Sequence, residues 1–178
     1  RRRLRTPKRY RPVMSEDLDE PRTIDPGVSV GHVHLKAADL ARIEDFYVGL
    51  LGFQIKARLP GALFLAAGDY HHHLAFNTWQ TKGGQPAPEG TTGLYHIALL
   101  YPSRASLAEA LRRLVRAGWP LDGTADHGTH LAIYLRDPEG NGLELAWDRP
   151  REQWPRDPEG NIRFVTEPAP LMSFFEED

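Results

Sequence analysis

His32, His96 and Glu144 are the residues of this chain best suited to do chemistry together. His32 and His96 stand at equivalent points of two similar stretches. Glu144 interrupts an apolar run, with Leu143, Leu145 and Trp147 on the opposite face of a predicted strand. Two imidazoles and one carboxylate bind a first-row divalent metal and leave coordination positions open. Each residue taken alone could be purely structural; their places in a repeat favour a shared role. The chain has no cysteine, which excludes sulfur-based metal sites, thiolate catalysis and disulfides. Nitrogen and carboxylate donors suit Fe(II), Mn(II), Zn(II), Ni(II) or Co(II).

More imidazoles are close in sequence. A strand predicted over 71–77 would put His71, His73, Ala75 and Asn77 on one face. His34 and His130 share the parity of His32 and Tyr134, and read as lining or packing. Trp79, Tyr95 and Trp119 read as core.

The elements that must position these residues come twice. Gly31 to Leu35 opens the first stretch, and a helix is predicted over 40–50, capped by Asp39 and stopped by Gly52. Strands are predicted over 53–58, 62–66 and 71–77. Leu94 to Leu99 opens the second stretch, followed by a helix over 104–117 that ends at Gly118. Ser106 and Glu109 have the spacing of a capping box, and Leu107, Leu111, Leu114 and Val115 form an apolar stripe. Strands return near Thr124 and over 131–136 and 143–147. The opening tetrads match: His32, Val33, His34, Leu35 against His96, Ile97, Ala98, Leu99. Such a repeat implies two modules, neither large enough to bury both faces of its own sheet. Beyond them, the string Arg136 to Asn141 reappears as Arg156 to Asn161, both read as tight turns.

At 178 residues, 40% hydrophobic and 26% charged, the chain has the make-up of a globular protein. A net charge of −2 gives no general attraction to nucleic acid or an anionic membrane. No apolar run is long enough to span a bilayer, and the lack of cysteine agrees with a cytoplasmic location. The first thirteen residues carry seven Arg or Lys and no acid, and Glu16, Asp17, Asp19 and Glu20 follow. They read as a surface arm; no apolar segment follows the arginines, so an export signal fits poorly.

Two motifs carry a family resemblance. The opening His-Val-x-Leu with Asp39-Leu40 and Phe46-Tyr47, and the closing Asp137-Pro138-x-Gly140-Asn141-Gly142-x-Glu144, resemble the vicinal oxygen chelate superfamily. That superfamily comprises glyoxalases, bleomycin-resistance proteins and extradiol dioxygenases. The resemblance covers roughly Val30 to Pro150 and is nearest to catechol 2,3-dioxygenase-type proteins. It implies an α+β fold of two βαβββ modules forming a curved mixed sheet around a metal site. The expected layout is an arm over 1–27, a two-module domain over 28–150 and a tail over 151–178. The modules span 28–80 and 93–150, with a linker over 81–92.

The family's metal ligands fall on His32, His96 and Glu144, with Fe(II) as the expected ion. Laying one half on the other puts Ala75 opposite Glu144, where a glyoxalase I-type site would want a fourth ligand. A three-ligand, dioxygenase-like site is therefore expected. The resemblance places His127, Tyr134 and His71 as catalytic groups, though Ala125, two before His127, departs from the family's pattern. His73, Asn77 and His130 are expected to meet an aromatic substrate, with dioxygen as co-substrate. The alternatives are a glyoxalase-like lyase or isomerase and a non-catalytic drug-binding protein. Short relatives of this kind imply a homodimer, with the tail's Trp154, Phe164, Phe174 and Phe175 packing across a subunit or over the cavity mouth.

Overall fold

A computed structural model describes residues 23–88 and 90–176. Most of the expected arm, residues 1–22, lies outside the described residues. The chain divides into two compact units, 1–30 and 31–178. In the first, residues 23–30 hold a turn in which Gly27 N donates to Asp25 Oδ1 at 2.7 Å.

The second unit contains both repeats. In the first repeat β1 (Val33–Lys36) leads to α1 (Leu40–Glu44), which runs on into a π-helical segment, Asp45–Leu50. Then come β2 (Gln54–Leu59), β3 (Ala62–Ala66) and β4 (Leu74–Asn77). The second repeat supplies β5 (His96–Leu100), α2 (Arg104–Arg116), β6 (Leu121–Asp126), β7 (His130–Arg136) and β8 (Gly142–Asp148). The sheets have matching orders, β1-β4-β3-β2 and β5-β8-β7-β6, and the tail adds β9 (Glu167–Pro168) beside β6. In each sheet the first strand pairs parallel with the fourth and the rest pair antiparallel. Even the irregularities repeat: β2 shifts register between Ile55 and Ala57, and β6 between Leu121 and Gly123.

Several local expectations are corrected. The helix over 40–50 is α-helical only in its first half. The N-cap of α2 is Ser103, which exchanges hydrogen bonds with Ser106, so the capping box lies one turn before the Ser106–Glu109 spacing. Glu109 instead lies 3.3 Å from Arg113 Nε, one turn on. The strand expected over 71–77 begins only at Leu74, so alternation does not govern His71 and His73. Trp79 and Tyr95, read as core, are 61% and 83% exposed.

One apolar core spans both repeats. The α2 stripe of Leu107, Leu111 and Leu114 is fully buried, each side chain stabilising the fold by about 1.5–3 kcal/mol. Phe46 meets Trp119 with ring centroids 4.6 Å apart. The two repeats are also tied by polar contacts to the turn between β7 and β8. Buried Tyr47 donates to Asp137 Oδ2 at 3.0 Å, and Arg42 donates to the Pro138 carbonyl at 2.7 Å. Asp137 Oδ1 accepts from the backbone N–H of Glu139 and Asn141. Burial and the Asp137 charge push the Tyr47 phenol well above its ordinary value. The second copy of the turn reproduces the internal bonds, from Asp157 to Asn161, on the surface.

Candidate metal centre

Glu144 is the anchor. It sits centrally on β8, is 5% exposed, and is flanked by Leu143 and Leu145 in the core. A carboxylate so placed is costly unless both oxygens are partnered. His96, at the start of β5, brings Nε2 to 2.9 Å from Oε2. His130, at the start of β7, brings Nε2 to 2.8 Å from Oε1. In the β7–β8 ladder His130 lies opposite Asp148, and Tyr134 opposite Glu144. Between them the facing pair is Ala132 and Ala146, whose small side chains leave room for the His130 ring to reach diagonally to the carboxylate.

A second chain of contacts runs to Oε1. Tyr134 Oη lies 3.3 Å from it and 2.7 Å from His127 Nε2. A phenol has one proton, so it can donate to only one of these partners at a time. The rings of His127 and His130 stack with centroids 4.6 Å apart. Burial raises the Glu144 carboxyl, but the His130 hydrogen bond, the His130 and His96 charges and the Tyr134 hydroxyl outweigh it and hold it below its ordinary value. Burial, then the Glu144 charge and hydrogen bond, pushes the Tyr134 phenol up to about 12. Glu144 is thus kept ionised and Tyr134 protonated, as a cation site with an adjacent proton donor requires.

The donors fit a metal. Among the described residues, His127, His130 and Glu144 offer donor atoms all within 4.8 Å of one another. His32, His96 and Glu144 do not form such a set within one chain. Exposed His32 instead packs its ring against His72, with centroids 4.3 Å apart, and lies 6.3 Å from that of His71. The Nδ1 atoms of His71 and His72 are 2.8 Å apart. Burial, then the charges of His32, His71, His34 and His73, lowers the His72 imidazole. His73 Nδ1 accepts from Ala67 N at 3.3 Å. Asn77 Nδ2 lies 3.0 Å from His34 Nε2.

The candidates therefore fall into two groups. His96, His127, His130, Tyr134 and Glu144 meet on the second sheet, while His32, His71, His72 and His73 cluster beside the first. The ladders confirm the equivalence of Ala75 and Glu144: His34 pairs with Ala75 as Ala98 pairs with Glu144. Phe64 likewise pairs with Ala75 as Tyr134 pairs with Glu144. The first sheet thus has an apolar counterpart of the Tyr134–Glu144 pair. Parity puts His130 on the pocket face but does not predict its bond to Glu144; the two alanines between them are the readable signal.

Comparison with known proteins agrees with this architecture. Residues 29–145 match the model of the Glyoxalase/Bleomycin resistance protein/Dioxygenase superfamily. A catechol-2,3-dioxygenase of Bacillus subtilis is 36% identical over 149 residues, 83% of this chain and 51% of that protein. Biphenyl-2,3-diol 1,2-dioxygenase 3 of Rhodococcus globerulus is 28% identical, over 67% of this chain and 63% of that protein. The chain thus spans about half to two thirds of the length of these relatives. Among solved structures, a lactoylglutathione lyase from Agrobacterium tumefaciens shares the fold, with a TM-score of 0.55 at 24% identity, over 69% of this chain and 96% of that one.

Proposed function

The chain belongs to the glyoxalase, bleomycin resistance protein and dioxygenase superfamily, and within it we propose that this protein is a metal-dependent extradiol dioxygenase that opens the ring of a catecholic small molecule. The observation that carries this reading is the buried Glu144 carboxylate with an imidazole on each oxygen and the Tyr134–His127 pair beside it. The named activities of the Bacillus and Rhodococcus relatives add support.

In this reading Glu144, His96 and His32 hold one divalent ion, Fe(II) by preference. Within one chain His32 lies with the His71–His72 cluster, so in this reading the trio is completed only when two copies assemble as a homodimer. The ion would act as a Lewis acid and bring catecholate and dioxygen together. His130 orients Glu144 from the side. Tyr134 donates a hydrogen bond to a substrate oxygen, and His127 accepts the proton of Tyr134 or of the substrate. His71, His73 and Asn77 belong to the same first-sheet group as His32 and reach the proposed site only together with it, His71 as acid and base near the oxygen and His73 and Asn77 on the substrate side. Among the described residues no helix is long and apolar enough to cross a membrane.

The test is to load the protein with Fe(II) anaerobically, add a panel of catechols and admit oxygen. Yellow ring-opened product with matching oxygen uptake is expected. An iron-loaded protein that turns over none of the panel would remove the assignment. Turnover of a vicinal dioxygen substrate without oxygen would favour a lyase or isomerase instead.

A further inference from the structure

The catalytic role given to His127 depends on which ring nitrogen carries its proton. A neutral imidazole has one N–H and one lone pair. The Nε2 atom faces the Tyr134 hydroxyl at 2.7 Å, nearer than Glu144 Oε1 at 3.3 Å, and when the phenol's proton points to this nearer partner only a lone pair on Nε2 can take it. The Nδ1 atom faces the backbone carbonyl of Val165 at 2.8 Å. A carbonyl oxygen only accepts, so this contact requires a proton on Nδ1. Thr166 Oγ1, 3.3 Å from the same nitrogen, could share in accepting from Nδ1–H or could itself donate to a bare Nδ1. The second arrangement would leave the nearer Val165 carbonyl facing a lone pair, so the shorter contact decides.

Val165 lies in the C-terminal tail, twenty residues beyond the end of the superfamily match at 145. The tail is fixed in place by several contacts. Strand β9 pairs with Ala125 and Asp126 of β6, and Thr124 Oγ1 donates to the Ala169 carbonyl at 2.6 Å. Val165 N donates back to the His127 carbonyl at 3.3 Å. Phe174 is buried, and Arg112 stacks on Phe175 at 4.8 Å. Phe174 therefore packs in its own chain's core, which corrects the expectation that it would cross to another subunit or cover the cavity. Gly128 gives the tail room to approach: a Cβ there would lie 2.8 Å from Pro155 Cγ and 3.1 Å from Val165 Cγ2.

We propose that the tail is a positioning element of the active site, its Val165 carbonyl holding His127 in the Nδ1–H tautomer so that Nε2 presents a lone pair to Tyr134. The inference rests on the proposed function for its catalytic meaning, but not for its geometry. A free imidazole prefers the Nε2–H form, so a fixed Nδ1–H tautomer is a signature that mere packing of the tail would not produce.

Two-bond proton–nitrogen correlation spectra of the metal-free, histidine-labelled full chain near pH 8 read the tautomer directly, with His127 assigned from the H127Q variant. The expected pattern is Nδ1–H for His127, unchanged in T166V. An Nε2–H pattern in the unsubstituted protein would overturn the proposal. So would a switch to Nε2–H in T166V, since Thr166 would then set the tautomer. A failed catechol assay leaves this readout intact and counts only against the proposed reaction.

Discussion

The imidazole of His130 reaches Glu144 diagonally across two alanines and binds the carboxylate oxygen not held by His96. In the proposed site His130 orients Glu144 rather than serving as a required ligand. Partners that fix a ligating carboxylate change metal affinity about 10–100-fold when removed. Replacement H130A is expected to weaken Fe(II) binding by a factor in that range, measured by competition with a chelator. Its far-ultraviolet circular dichroism should not change. Undiminished affinity would show that Glu144 needs no help from His130.

Gly142 keeps His96 next to Glu144. It pairs with His96 in the β5–β8 ladder, and an added Cβ would collide with the Tyr95 carbonyl. The G142A substitution must push β5 outward, and overpacking of this kind costs about 1–3 kcal/mol. Urea denaturation should show a loss of that size, with metal affinity falling alongside. A variant as stable as the parent would mean that β5 moves freely.

Tyr47 ties the first repeat to the turn that leads into β8. Removing its hydroxyl in Y47F deletes a bond to a buried carboxylate, worth about 1.5–3 kcal/mol. The pH dependence follows from its raised phenol. An acid whose folded value lies above its unfolded value contributes stability that is fully present below the unfolded value, here 10.0, and is lost as pH rises through the folded value. Unfolding free energy is therefore expected to fall above about pH 10 in the parent, and less steeply in Y47F. Parallel profiles would argue against the assignment.

Tyr134 holds its hydroxyl between the Glu144 carboxylate, at 3.3 Å, and His127 Nε2, at 2.7 Å. Positioned acid–base groups typically contribute about 10²–10⁴-fold to rate. In the Fe(II)-loaded enzyme Y134F is expected to lower kcat by at least about 100-fold while KM changes little. A change confined to KM would make Tyr134 a binding residue only.

Much of this was legible in the residues. The matching tetrads at His32 and His96 imply the two modules, and laying one half on the other pairs Ala75 with Glu144, as the ladders do. What failed was local. Alternation alone carries a strand back to His71, but Tyr70 and its neighbours form a turn and the strand starts only at Leu74. Ser106 and Glu109 have the spacing of a capping box, but Ser103 one turn earlier has equal claim and only geometry separates them. Long-range contacts such as His127 with Val165 leave no periodic trace, since the tail's path depends on tertiary packing.

In the proposed site Glu144, His96 and His32 hold a single divalent ion. The most direct measurement is elemental analysis of the full chain after anaerobic Fe(II) loading and desalting, with E144Q, H96A and H32A treated in parallel. One ion per chain in the parent, and near-complete loss in each variant, is the predicted result. Full occupancy in E144Q would contradict it, because no ion held by this carboxylate could survive the change.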